Sequence, residues 1–237
     1  MTHDAAHDPV RQNRAIWSHY QSSETSVFAR AKPRLDRVAR ELTRRVGAHA
    51  SVLTIGVGDG YLERTLRSRG MNAHALDPDP EAIARLQSEG IAASTGVIES
   101  LPFGDRSFEA VAASEVFEHL TDEQRETGLA ELGRVLMPGG WLVGTVPYRE
   151  NLDEQRVACP DCGAVFHRWG HVCSFDEARI TEELSPHFVV THIDHRAFVE
   201  FRGRSIKRLV SGAAVWVMGR LGMAPADPHI FFVARRR

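Results

Sequence analysis

The stretch Ser51-Val-Leu-Thr-Ile55-Gly56-Val-Gly58-Asp-Gly60 decides the fold. Its first five residues are largely aliphatic and β-branched with no polar alternation. That pattern reads as a short strand covered on both faces, as in a parallel sheet. Glycines at alternate positions then predict a turn with unusual backbone angles, where missing Cβ atoms leave room for a ligand. A helix follows to about Arg69, with Gly70 as its stop. Ala73–Leu76 reads as a second strand. Asp77-Pro-Asp-Pro80 opens a helix that ends before Gly90. Ile91–Thr95 and Phe108–Ala113 read as the third and fourth strands, Glu123–Leu136 as a helix, Pro138-Gly-Gly140 as a turn, and Trp141–Val146 as the fifth strand.

Strands alternating with helices predict parallel βαβ units with right-handed crossovers. The expected fold class is α/β, a doubly wound, mostly parallel, seven-stranded sheet with helices on both faces. Upstream, apolar residues recur at helical spacing from Val10 to Val46 (Ile16, Trp17, Tyr20, Val27, Phe28, Leu35, Val38, Leu42), which predicts two leading helices. The Trp17–Tyr20 segment is either a lid over a ligand or a buried aromatic anchor. The rhythm breaks at Pro147, and an irregular stretch to His171 carries all the cysteines. A helix (Phe175–Leu184), a strand (His187–Ile193), a helix near Ser205–Leu221 and a last strand (His229–Ala234) follow. Four segments result: a helical lid (1–46), a ligand-binding core (47–147), a Cys/His-rich insertion (148–173) and a C-terminal completion of the sheet (174–237).

Composition sets the outer limits. The chain has 237 residues, of which 43% are hydrophobic, 25% charged and 8% aromatic. These values exclude disordered, collagen-like and coiled-coil chains. A net charge of -2 argues against a generally basic nucleic-acid surface. Arg202, Arg204, Lys207 and Arg208 form one local basic cluster, read as a solvated helix face or as a phosphate contact. No apolar run approaches the roughly 20 residues of a membrane span, and the N-terminus lacks a signal-peptide pattern. Three cysteines are too few for a disulfide scaffold. A cytoplasmic protein is the expectation.

The glycine turn is not a dinucleotide fingerprint, because Tyr61 stands where the third glycine belongs. It is not a P-loop either, since no Gly-Lys-Ser/Thr follows. Asp77 ends the second strand, where a carboxylate can accept both hydrogen bonds of a ribose diol. The alternative is that Asp77 merely caps the helix opening at Pro78.

Together these residues resemble the class I S-adenosylmethionine-dependent methyltransferases over roughly Val46 to Val146. Ile55–Gly60 is similar to the family's glycine motif and Leu76–Pro80 to its ribose motif. Gly96–Asp105 is similar to the loop bordering the adenine. Ser114-Glu-Val-Phe-Glu-His-Leu120 and Leu136-Met-Pro-Gly-Gly140 complete the set. The resemblance implies S-adenosyl-L-methionine as cofactor. Gly56, Gly58 and Gly60 would approach its methionine part, Asp77 with Pro78 the ribose, and Ile98 and Glu99 the adenine. Ser114 and Glu115 would face cofactor or substrate. One position departs: the family's acidic residue two before the first glycine is Thr54 here, which removes an expected contact near the cofactor's amino group.

Methyl transfer from a sulfonium requires alignment of nucleophile, methyl carbon and sulfur. An oxygen nucleophile must also lose a proton, to a general base or with help from a metal. On a helical turn Glu115, Glu118 and His119 would share one face, at i, i+3 and i+4. Glu-x-x-Glu-His is similar to a divalent-metal motif of small-RNA 3'-terminal 2'-O-methyltransferases, which add a downstream histidine that His171 could match. Related sites occur in ubiquinone-pathway O-methyltransferases. Magnesium or manganese binding, His119 as a plain base, and a structural role all stand as readings. Separately, Cys159-Pro-Asp-Cys162-Gly163 is a zinc-knuckle pattern. Cys159, Cys162 and His167 would be three zinc ligands, with His171 or Cys173 the fourth. The other readings are no metal and a redox pair.

The expected activity is methylation of a hydroxyl on a small polar molecule, such as a sugar, glycan precursor or secondary metabolite. An RNA 2'-O-methyltransferase and a non-catalytic, zinc-stapled binding module are the alternatives.

Overall fold

The computed structural model describes residues 9–22, 26–198, 214–218, 220–221, 223 and 228–237. The basic cluster Arg202–Arg208, and most of the helix expected at 205–221, lie outside the described residues; 214–218 are helical. Two helices lead, α1 (Pro9–Ser22) and α2 (Ser26–Val46). The core then runs β1 (Ser51–Ile55), α3 (Tyr61–Ser68), β2 (Asn72–Asp77), α4 (Pro80–Ser88), β3 (Ala92–Thr95), β4 (Phe108–Ser114), α5 (Asp122–Val135) and β5 (Leu136–Pro147). After β5 come a hairpin of β6 (Arg156–Ala158) and β7 (Val165–His167), then α6 (Glu177–Leu184), β8 (Phe188–Arg196) and β9 (His229–Arg236).

The seven-stranded sheet has the order β3-β2-β1-β4-β5-β9-β8. All neighbours are parallel except β9, which is antiparallel to both β5 and β8. From β1 the chain builds outward to β3 and returns to the other side of β1 as β4. Strand order therefore reverses between β1 and β4, where such sheets form a crevice at their carboxyl ends.

Alternating side chains of one strand feed two cores, as the period of two requires. Leu53, Val111, Leu142 and Phe232 pack with Leu129, Leu132, Ile180 and Leu184 of α5 and α6. Their neighbours Val52, Ala110, Val143 and Phe231 pack on the opposite face with Val38, Leu42, Leu62 and Leu66 of α2 and α3. The result is three layers, with α2 contributing core as well as cover.

Two local readings change. The Pro138–Gly140 segment is a bulge within β5 rather than a turn before it, because pairing moves from Phe108–Leu136 to Ala110–Trp141. The stretch after Pro147 contains an antiparallel hairpin, Arg156–Ala158 against Val165–His167. Among the described residues, no helix is long and apolar enough to cross a membrane.

Candidate active site

A cavity of about 310 Å3 opens beyond the ends of β1, β2 and β4. Gly56 and Gly58 form its floor with φ of 79° and 57°, angles that side-chain-bearing residues rarely adopt. A Cβ on Gly58 would come within 3.0 Å of the Phe28 ring, so the glycine lets α2 lie close over the turn. Gly60 does not line the cavity. It precedes α3, and a Cβ there would meet Leu86 of α4 at 2.7 Å, so the glycine lets α3 and α4 pack closely.

Asp77 is buried at the cavity edge. Its carboxylate accepts hydrogen bonds from the Val57 N–H (2.8 Å), the Asp79 N–H (2.8 Å) and Gln21 Nε2 (3.1 Å). Burial pushes the carboxyl above its ordinary range, while those three bonds pull it back. Capping of α4 falls to Asp79, which accepts from the N–H groups of Glu81 and Ala82. Asp77 is thus not the helix cap; it ties the end of β2 to the glycine turn. Pro78, Ile98, Glu99 and Ser114 line the same cavity. Gln124, from the capping box that opens α5, donates to Glu99 Oε1 at 2.5 Å.

The leading helix closes the cavity from above. Asn13, Trp17 and Gln21, one helical face at intervals of four, all line it. Asn13 Nδ2 donates to the His119 carbonyl at 3.0 Å, and the Trp17 ring meets His119 edge-on with centroids 5.2 Å apart. Each of the three also carries a buried polar atom without a protein partner: Asn13 Oδ1, Trp17 Nε1 and Gln21 Oε1. Buried polar atoms normally find partners, so this face leaves three polar groups unmet beside the cavity. The residue spacing was visible in sequence, but the polar members of the face were passed over.

Glu115, Glu118 and His119 do not share a helix face. Glu115 takes a left-handed φ of 58°, and only the single 3-10 turn Phe117–His119 follows. Glu115 instead turns to His229 Nε2 (3.2 Å), Arg34 Nε (3.8 Å) and Thr145 Oγ1 (2.8 Å). Its burial would raise the carboxyl, but the charges of Arg34 and His229 outweigh that and hold it well below the carboxylate range. Arg34 also donates to Ser114 Oγ at 3.3 Å. Glu115 is therefore an ion-paired brace that also lines the cavity.

Glu118 is fully buried, and neither carboxylate oxygen has a partner among the described residues. Burial, reinforced by the charge of Glu115, raises its carboxyl well above the usual range. His119 lines the cavity with Nδ1 at 3.4 Å from the Gly170 carbonyl and a bare Nε2. Burial, with His171 beside it, pushes its imidazole down to about 3, so the ring is neutral.

The expected zinc set is not assembled. His167 pairs with Arg156 at the base of the β6–β7 hairpin, whereas Cys159 and Cys162 lie at its tip. Three residues of strand separate them, about 10 Å at roughly 3.4 Å per residue. Cys173 faces the core, taking a hydrogen bond from Arg125 Nη1 at 3.2 Å, and burial pushes its thiol up to about 11. The tip itself is knuckle-like. Gly163 N–H donates to the Cys159 carbonyl at 2.9 Å, and the N–H groups of Cys162 and Asp161, directed at its sulfur, lower the Cys159 thiol. The histidines go elsewhere. Glu150, which the sequence did not single out, lies 3.4 Å from His167 Nε2 and bonds His171 Nδ1. Among the described residues, the groups close enough to share an ion are Glu118–His119–His171 and Glu150–His167–His171, without a cysteine.

Thr54 is also accounted for. It donates through Oγ1 to Glu63 Oε1 of α3 at 2.6 Å, so a buried acid stands behind the position where the sequence lacks one.

A doubly wound sheet with a glycine floor, a strand-end carboxylate and a polar lid defines an α/β domain with a cavity at its topological switch point. Residues 53–144 match the family described as a methyltransferase domain. The chain is 30% identical over 105 residues to YrrT, an uncharacterized methyltransferase of Bacillus subtilis, covering 43% of this chain and 48% of that one. It thus spans about half the length of that relative. Among solved structures it is similar to the 1,6-didemethyltoxoflavin-N1-methyltransferase of Burkholderia thailandensis, with a TM-score of 0.68, 17% identity and coverage of 100% of this chain and 90% of that one. It is also similar to the N-methyltransferase NodS of Bradyrhizobium japonicum, with a TM-score of 0.63, 19% identity and coverage of 94% and 97%. Both of those structures contain S-adenosylhomocysteine. Residues 53–144 thus carry the pattern of that methyltransferase-domain family, on the fold shared with these solved structures.

Proposed function

We propose that the protein transfers the methyl group of S-adenosylmethionine to a hydroxyl oxygen of a small polar acceptor, such as a sugar, glycan precursor or secondary metabolite. The observation that carries this reading is the cavity itself, floored by Gly56 and Gly58, edged by Asp77 and lidded by α1. Asp77 offers a fixed carboxylate to a ribose diol once Gln21 yields its bond. Ile98, Glu99 and Pro78 supply the flat apolar and polar edges that an adenine needs.

In the transfer, the acceptor oxygen forms a bond to the methyl carbon as the carbon–sulfur bond breaks. Its electron pair stays on sulfur, giving a neutral thioether, and the hydroxyl proton leaves to solvent or a base. Binding and alignment supply most of the acceleration. Activation of the hydroxyl falls to the wall where His119 presents a bare Nε2 backed by Glu118. Glu115, locked to Arg34 and His229, positions that wall and takes no proton. The near-neutral net charge favours a small acceptor over RNA, and the unpaired cysteines fit a reducing, cytoplasmic setting.

Titration calorimetry tests the reading. Wild-type protein is expected to bind S-adenosylmethionine with micromolar affinity. Asp77→Asn should weaken this at least ~30-fold, since hydrogen bonds to a charged group contribute about 1.5–3 kcal/mol each, with unchanged circular dichroism. Folded wild-type protein that takes up no cofactor would sink the proposal.

A further inference from the structure

We propose that Glu118, His119 and His171 bind one first-row divalent metal ion at the inner wall of the cavity, with Glu150 holding His171 from behind. The site differs from both patterns visible in sequence: it excludes Glu115 and the cysteines, and it needs Glu150.

The three ligating residues come from separate places, the turn after β4 and the segment after β7. Their ligand atoms nevertheless lie within 4.8 Å of one another, with His119 Nε2 4.0 Å from Glu118 Oε1. Donors each ~2.1 Å from one ion in a tetrahedral set lie about 3.4 Å apart, so the three side chains must close on the ion by about an ångström. Glu118 is completely buried with both oxygens unpartnered, and the His119 Nε2 beside it is unpartnered too. Bare ligand atoms converging in a buried place call for a partner, and an ion satisfies them together.

Hydrogen bonding sets the imidazoles for that task. With Nδ1–H of His119 directed at the Gly170 carbonyl (3.4 Å), its Nε2 keeps a free lone pair. With Nδ1–H of His171 on Glu150, the same holds for His171. An imidazole held through its other nitrogen by a carbonyl or carboxylate is the usual support of a metal-bound histidine. His167 differs. Its Nδ1 accepts from the N–H groups of Trp169 (3.3 Å) and His171 (3.1 Å), so its proton lies on Nε2, 3.4 Å from Glu150 Oε1. His167 therefore stands beside Glu150 with its Nε2 lacking a hydrogen-bond partner among the described residues, and it turns a protonated nitrogen rather than a lone pair toward the site.

Two imidazoles and one carboxylate suit zinc, manganese, iron(II) or cobalt better than magnesium or calcium, which prefer oxygen. Three protein ligands leave positions open, the mark of a reactive rather than a structural ion. His119 lines the cofactor cavity, so an ion bound by it would sit close behind that wall. An ion there would lower the pKa of a bound acceptor hydroxyl. That role rests on the methyl-transfer reading; the binding itself does not.

The test uses full-length protein dialysed against chelator and titrated with cobalt(II), read by visible absorption. One equivalent should bind with a weak ligand-field band and no thiolate-to-cobalt charge transfer. Glu118→Gln and His171→Ala should abolish binding. Glu150→Gln should weaken it about 10–100-fold, as loss of a supporting hydrogen bond does, and Cys159→Ser should leave it unchanged. Circular dichroism checks folding, and Glu150→Gln serves if the ligand variants fail to fold. Absence of binding, a thiolate band, or loss of binding in Cys159→Ser with retention in Glu150→Gln would each overturn the site. Calorimetry with S-adenosylmethionine on the same metal-free protein separates that failure from failure of the cofactor reading.

Discussion

Glu63 gives the fold a pH dependence that can be worked out from its surroundings. The residue is wholly buried on α3. Its Oε1 accepts from Thr54, and its Oε2 has no partner among the described residues. Burial pushes its carboxyl from the ordinary 4.5 up to about 7. The unfolded chain therefore releases this proton near 4.5, while the folded chain holds it until about 7. In that window the folded state binds more protons, so stability is fully present below about 4.5 and falls as pH rises through 7. At about 1.4 kcal/mol per tenfold in proton affinity, the loss is about 3 kcal/mol. Glu63→Gln keeps an oxygen for Thr54 and removes the titration. Urea unfolding of both proteins from about pH 4 to pH 8 should show the variant gaining ~3 kcal/mol on the wild type, with a plateau at either end. A difference that stays flat across the window would show that Glu63 is not held protonated, and the burial argument would be wrong.

Two further substitutions probe the lid and the brace. Gly170 has φ of 75°, and a Cβ there would fall 1.6 Å from Asn13 Oδ1. Gly170→Ala should push α1 off the cavity, seen as faster proteolysis within α1 and at least ~tenfold weaker cofactor binding with the sheet intact. Arg34→Met strips Glu115 of its guanidinium while His229 remains. It should cost about 3 kcal/mol, the lower end for breaking a buried pair, measured by thermal or urea unfolding at neutral pH. Because the Glu115 carboxyl is depressed in the fold, its contribution exists above the ordinary 4.5 and is lost as pH falls below that. The penalty should shrink in acid.

What could be read from the sequence was local. The β1 run, the glycine turn and the alternation through β5 are patterns of adjacent residues, and the strand order follows from handedness and short connections. The hairpin after Pro147 was missed because its strands have three residues each and β6 is exposed throughout, so no alternation marks them. Asp77 and Asp79 are equally good caps on paper; only the three donors around Asp77 show which one does something else. The Glu115–His119 pattern misled because i, i+3, i+4 spacing means a shared face only if the helix continues, and the positive φ at Glu115 stops it. Glu150 carried no local signal, since its meaning comes from two histidines 17 and 21 positions away.

The insertion after β5 is better understood as a support behind the cavity-lining His119 than as a separate stapled unit. Val172 N–H donates to the Glu118 carbonyl at 2.8 Å, and Arg149 N–H to the Phe175 carbonyl at 2.7 Å, so both ends of the segment are sewn into the fold. The Trp169 ring meets Tyr20 of the lid at 5.3 Å, and the Gly170 carbonyl faces His119. His119 is thus held from three sides: by its own turn after β4, by Asn13 of α1 at its carbonyl, and by the insertion at its ring. A movement of the lid must register at this imidazole, and so must a movement of the insertion. On the proposed function, binding energy gained where α1 covers the cofactor would also fix His119, which would tie cofactor capture to readiness for chemistry. The cysteines at the hairpin tip lie outside that linkage, so losing them should alter neither the lid nor the cavity, whereas a change at Glu150 should reach both.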